Sequence, residues 1–270
     1  MNSSKLINSF INHRRFTSTI LLLVTTFYTV CPQSTEMKST NETEIASYNE
    51  EQTKDYPQKR IPGEKINKEE MNRIGYKSFF RIQEIDAKLF QRIYKKSYKE
   101  DCTIPKEDLR YLTVLHYNLN QEICLGELIC NKKISTDLLN IFQTLFEAKY
   151  PIARMVLIDE YNADDEASMR ANNTSCFNFR RVAGTNVLSN HSKGLAIDIN
   201  PLYNPFVKQR KGKTLYQPST AKQYINRNAR FPYKIDHNDL CYKLFKHYGF
   251  TWGGDWRSLK DFQHFEKNMK

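Results

Sequence analysis

The 270-residue chain predicts an α+β fold, an antiparallel sheet with flanking helices. Two β-rich runs are separated by a turn-prone link. An amphipathic helical run follows them and leads into another apolar run, and a short segment nearer the C-terminus alternates apolar and other residues. Hydrophobic residues make up 40%, with 16 Phe and 16 Tyr, enough to fill a core and to exclude a chain disordered throughout. The net charge of +11 points to an anionic partner, such as lipid head groups or an acidic wall polymer. No DNA- or RNA-binding signature accompanies that charge, so nucleic acid is not the expected partner.

At the N-terminus, Lys5, His13, Arg14 and Arg15 precede the apolar run 19–31. This is the pattern of an export signal. The run is shorter than the ~20 residues of an ordinary membrane span, so cleavage is favoured, with membrane attachment through this segment as the alternative. Cys31 closes the run as a lipid-modified cysteine would, although Val30 stands where such signals want a small residue. Residues 1–32 are therefore read as export signal or anchor, placing the protein in the periplasm, at the cell envelope or outside the cell. Residues 33–63, rich in Ser, Thr, Glu, Gln, Lys and Asn, are read as a disordered linker.

Residues 64–150 are expected to pack on a core formed by 151–270. Segment 67–97 is helical in places. The β-rich runs 111–117 and 124–130, joined through Asn118-Leu119-Asn120, suggest a hairpin. Ser135 can cap a helix that places Leu138, Ile141, Phe142, Leu145 and Phe146 on one face. Residues 154–159 read as a strand and 162–185 as a polar approach to a site. Leu195, Ile197 and Ile199 alternate with Ala196 and Asp198, so a strand here turns Asp198 away from the aliphatic face. Residues 201–231, with Pro201, Pro205, Pro218 and a Lys-rich middle, read as a mobile excursion, and a last helix ends at Gly249. Six cysteines fit neither a zinc ribbon nor a CxxC pattern. Buried free thiols and disulfides, including a bridge from Cys102 to Cys124 or Cys130, both stay open.

The chemistry concentrates in Ser189-Asn190-His191-Ser192-Lys193-Gly194-Leu195-Ala196-Ile197-Asp198 and in Asp261-Phe262-Gln263-His264-Phe265-Glu266. Two imidazoles and a carboxylate suit zinc, whereas calcium would take oxygen ligands. A catalytic zinc commonly keeps three protein ligands and leaves a position for water, whose proton a nearby carboxylate can take and return. Asp261 is placed in a turn before the strand carrying His264, from which it can lean over that water. His264 and Glu266 share a face if Phe265 is buried. Asp255 either orients His264 or ends the Gly253-Gly254 turn. Trp252, Trp256, Phe262 and Phe265 read as core and cleft wall, and Ser189 as a donor behind the ligands.

These two segments resemble the S-x-H-x-x-G-x-A-x-D and carboxylate-x-x-H patterns of the M15 (VanY-like) zinc D-Ala-D-Ala carboxypeptidases and related peptidoglycan peptidases. The runs Asn173-Thr174-Ser175-Cys176-Phe177-Asn178-Phe179-Arg180, Asp198-Ile199-Asn200-Pro201 with Asn204-Pro205, and Trp252-Gly253-Gly254-Asp255-Trp256 resemble further signature segments, extending the likeness over about residues 150–267. The resemblance implies the zinc DD-peptidase fold shared with hedgehog domains. It implies Zn2+ held by His191, Asp198 and His264, and Asp261 as general base and then acid. It also implies an arginine that polarises the scissile carbonyl, for which Arg180 is the candidate, with Arg170 and Arg181 nearby. The implied substrate is the peptidoglycan stem peptide. A D-alanyl-D-alanine carboxypeptidase is the leading expectation, with an endopeptidase cutting between L-Ala and D-Glu or a catalytically silent wall-binding module as alternatives.

Overall fold

The computed structural model describes residues 60–182 and 184–269. The segment read as export signal or anchor, Cys31 with it, and most of the segment read as a linker lie outside the described residues. Where the linker reaches them, Gly63 N donates to Leu125 O at 2.7 Å and Ile66 N to Ile123 O at 2.8 Å. Helices and antiparallel sheets are mixed, as in an α+β protein.

Helix α1 (Lys68–Ile74) starts at Asn67, whose side chain accepts from Glu69 N. Strand β1 (Arg81–Gln83) and helix α2 (Ala87–Ile93) follow, the helix capped by Asp86. The expected hairpin is β2 (Leu109–Tyr117) with β3 (Ile123–Asn131), and β1 completes a three-stranded sheet in the order β1-β2-β3. Helix α3 (Lys132–Glu147) packs on β2. Its Leu138, Ile141, Phe142, Leu145 and Phe146 are all buried, each contributing roughly 1.5–3 kcal/mol by area removed from water.

The start of α3 differs from expectation. Asn131 is the cap, accepting from Lys133 N, while Ser135 lies inside the first turn with its Oγ donating to Lys132 O. Asn131 sits at the end of β3, where its backbone and side chain also reach the segment carrying His191. It therefore joins three elements, which Ser135 could not. Residues 154–159 do not form a strand either. Their backbone groups are satisfied singly, with Val156 N donating to Asn173 Oδ1 and Leu157 N to Glu127 Oε1. Side chains thus take the place of a ladder. Residues 162–185 contain the short helix α4 (Asp165–Arg170).

The remaining strands form two small sheets. Strand β4 (Ala196–Asp198) lies beside β9 (His264–Glu266), which also pairs with β7 (Thr251–Trp252). Strands β5 (Phe206–Arg210) and β6 (Lys213–Gln217) form a hairpin whose β5 edge pairs with β8 (Lys260–Asp261). The segment read as a mobile excursion is partly sheet. Arg227 ties its far end down, donating to Tyr203 O, Asn204 Oδ1 and Ile235 O with its guanidinium 4.3 Å from the Phe262 ring. The last helix, α5 (Leu240–His247), precedes Gly249 at φ 82° as expected.

One core cluster runs from Phe79, Leu112 and Phe142 to Ile197, Phe245, Trp252 and Phe265. The first hairpin and the β4–β9 pair therefore share a single hydrophobic interior. Among the described residues Cys102, Cys124, Cys130, Cys176 and Cys241 are free thiols. No described helix is long and apolar enough to cross a membrane.

Candidate metal centre

Residues 190–193 form a tight 3-10 turn, begun by Ser189, whose Oγ accepts from His191 N at 3.3 Å. Gly194 ends the turn at φ 65°, and a Cβ there would lie 2.6 Å from Asn131 N. Any side chain would therefore meet both the left-handed penalty and a backbone clash. Asn131 N donates to Gly194 O at 2.9 Å, and Asn131 Nδ2 donates to Lys193 O at 3.0 Å. The turn carrying His191 is thereby fastened to the junction of β3 and α3.

The chain then enters β4, where Asp198 pairs in register with His264 of β9 and Ile197 with Phe265. Directly paired residues project to the same face. The two apolar partners fill the core, each 0% exposed, and Asp198 and His264 project to the other side. Cross-strand register thus brings together two residues distant in sequence.

His191 Nε2, His264 Nδ1 and Asp198 form a three-donor set. His191 Nε2 lies 3.2 Å from His264 Nδ1 and 3.3 Å from Asp198 Oδ2, and His264 Nδ1 lies 3.0 Å from Asp198 Oδ1. A tetrahedral zinc with bonds of ~2.0–2.1 Å requires ligand-to-ligand edges of roughly 3.3 Å. The partners behind the rings select the same atoms. His191 Nδ1 donates to Cys176 O at 2.6 Å, leaving Nε2 with its lone pair, while His264 Nε2 donates to Glu266 Oε2 at 3.1 Å, leaving Nδ1. Glu266 is itself held by Asn190 Nδ2 at 2.7 Å.

Acceptors this close repel unless a cation sits among them. Burial pulls His264 down, but its hydrogen bonds to Asp198 and Glu266 outweigh that and raise its pKa. Burial pushes Asp198 up, yet His191 and His264 hold it well below the usual carboxylate range. The donor set and its spacing fit zinc.

Asp261 ends β8 rather than occupying a free turn. Burial and the negative charge of Asp198 raise its carboxyl to about 6, against the pull of His264. Its Oδ1 accepts from Gln263 Nε2 at 3.1 Å. A Cβ on Gly253 would come within 2.8 Å of the Asp261 Cβ, so the bare glycine lets the two chains close. The Trp256 ring packs against His264 at 5.2 Å. Asp255 does not orient His264, since its Oδ1 accepts from His237 Nε2 at 2.8 Å.

Arg180 is joined to the His191 turn through its backbone, with Arg180 N donating to Ser192 Oγ at 2.8 Å. Its guanidinium pairs with Asp165 of α4 rather than with the donor set. Asn178 Nδ2 donates to the other oxygen of Asp165 at 3.0 Å. Arg181 turns away and donates to Asn186 O, and Arg170 is exposed.

Strands and turns converge two imidazoles and a carboxylate on one point, with a second carboxyl, that of Asp261, beside them, and this is a candidate site for a single metal ion. Residues 183–267 match the family described as D-alanyl-D-alanine carboxypeptidase, of the M15 peptidases. The matched segment contains His191, Asp198, Asp261 and His264 and begins after Arg180. Comparisons with curated proteins and with solved structures return no match.

Proposed function

We propose that the protein is an exported zinc metallopeptidase hydrolysing peptidoglycan stem peptides, acting as a D-alanyl-D-alanine carboxypeptidase on the DD-peptidase fold. The observation that carries this reading is the convergence of His191 Nε2, Asp198 and His264 Nδ1 at 3.0–3.3 Å, inside the segment that matches the peptidase family. Those residues would hold Zn2+, which when bound supplies Lewis acidity and acidifies a water.

The chain's own groups supply the rest. Asp261, raised toward neutrality, takes a proton from the attacking water and returns it to the leaving amine. Gln263 fixes its carboxyl and the Gly253 contact fixes its backbone. Arg180 serves the developing oxyanion once its guanidinium exchanges Asp165 for the substrate carbonyl. Residues 64–150 buttress the catalytic core at 151–270 through the Asn131 contacts with Lys193 and Gly194. Export, by cleavage or with membrane attachment, rests on the apolar run 19–31 behind its basic residues.

Digestion of purified peptidoglycan with products identified by mass spectrometry tests this reading. Free D-Ala is the expected product. Stem-peptide fragments would instead establish an endopeptidase, and absence of any product from zinc-loaded protein would overturn the peptidase reading.

A further inference from the structure

The β5–β6 hairpin leaves the site as a basic arm. Phe206 pairs with Asp261, so Phe206 and Asp261 project from one face of the β6-β5-β8 sheet. Strand alternation puts Lys208 and Arg210 on that same face. Cross-strand pairing adds Leu215 opposite Lys208 and Lys213 opposite Arg210. All three cations are exposed, and among the described residues none forms an ion pair. On the opposite face the polar groups satisfy each other, with Gln209 Nε2 donating to Thr214 Oγ1 at 2.9 Å.

Two features of this arm work against its own stability. Arg210 and Lys213 are like charges in directly opposed positions, an arrangement that destabilises a sheet. The two-residue turn between them places Lys211 at φ 49° and Gly212 at φ 73°, and a lysine is a poor choice for that left-handed position. Local conflicts of this kind are expected where a segment serves binding. The turn also holds Arg210 and Lys213 side by side in a fixed geometry.

We propose that this face receives the carboxylates of an acidic peptide running outward from Asp261. The proposal rests on the peptidase reading for the direction in which the peptide lies, and it names the substrate class. Alternate residues of a strand are about 6.6 Å apart, which is also the spacing of same-side groups on an extended peptide. Lys208 and Arg210 therefore match carboxylates on alternate substrate residues, up to about 13 Å from the Phe206–Asp261 pair. That reach exceeds what one terminal residue needs. A phosphate-rich polymer or an anionic lipid surface would satisfy the charge, but neither requires the cations to share a face with Asp261.

The test uses the full chain, zinc-loaded, with Asp261→Asn so that bound peptide stays intact. Two probes are compared: a synthetic stem peptide with free carboxylates, and the same peptide amidated. The expected preference for the acidic form is about tenfold at low salt, eroding as salt screens it. It falls toward unity in the triple variant Lys208→Gln, Arg210→Gln, Lys213→Gln, and survives in Lys208→Arg, Arg210→Lys, Lys213→Arg. An unchanged preference in the glutamine variant overturns the proposal. So does failure of the acidic peptide to bind. Turnover of the two peptides with Asp261 intact reads the peptidase separately: binding with the expected pattern but no cleavage would sink the peptidase reading and leave the arm standing.

Discussion

His264 donates from Nε2 to Glu266 Oε2 at 3.1 Å, and this bond decides which ring nitrogen faces Asp198 and His191. Both residues lie on β9 on either side of buried Phe265, so strand alternation alone brings them together. Removing a partner behind a metal ligand typically costs 10–100-fold in metal affinity. Glu266→Ala should weaken zinc binding by about that range. Glu266→Gln, whose amide oxygen still accepts the bond, should lose less. Competition with a zinc chelator measures both, and equal affinity in all three proteins would remove Glu266 from this role.

Asp261 differs in kind from the proposed ligands, because it lies beside the donor set without belonging to it. Asp261→Asn should keep its zinc and lose about 10²–10⁴ in kcat. In the parent, activity should fall on the acidic side as the carboxyl takes up a proton. The midpoint is expected at or below about 6, since a bound cation lowers the value that burial and Asp198 raise. A pH–rate profile checks this, and retention of the acidic limb in Asp261→Asn would assign it to another group.

Gly253 is predicted to matter through contact alone. A methyl group there would press on the Asp261 backbone carbonyl, at 2.5 Å, and on its Cβ. Gly253→Ala should therefore lower kcat while zinc stoichiometry stays at the parent level. A drop in zinc content of the same size would show that the clash propagates to β9 instead.

His116 provides a pH-dependence away from the site. It is 2% exposed, its Nδ1 donates to Ile152 O at 2.9 Å, and burial lowers its pKa to about 4. The unfolded chain takes up a proton near 6.5 and the folded chain does not. The stability of the neutral ring is thus complete above about 6.5 and is lost as pH falls toward about 4. Between pH 6.5 and 5 the parent should lose roughly 2 kcal/mol more than His116→Leu, at about 1.4 kcal/mol per pH unit. Urea unfolding of metal-free protein at the two pH values measures this, and parallel losses would contradict it.

Periodicity made several elements legible. The alternation of Leu195, Ile197 and Ile199 placed Asp198 opposite the core, and the helical spacing of Leu138, Ile141, Phe142 and Phe146 located α3. The donor set was legible because His191, Asp198 and His264 stand in segments that resemble the motifs of a known peptidase family. What stayed hidden depends on partners distant in sequence. Asn131 displaces Ser135 as the cap because it also reaches Gly194, and 154–159 is not a strand because Asn173 and Glu127 take its hydrogen bonds. The arginine shows the same limit, since nothing near Arg180 in sequence signalled that its guanidinium pairs with Asp165. The β5–β8 pairing that sets the basic arm beside Asp261 likewise has no local signature.

The zinc stoichiometry of the parent set beside His191→Ala, Asp198→Ala, His264→Ala and Asp261→Asn tests the central claim most directly. One zinc per chain is expected in the parent and in Asp261→Asn, with loss of tight binding in each of the other three variants while their folded spectra persist. Full zinc retention in any of those three, or a parent that binds no zinc at neutral pH, would contradict a metal centre made of His191, Asp198 and His264.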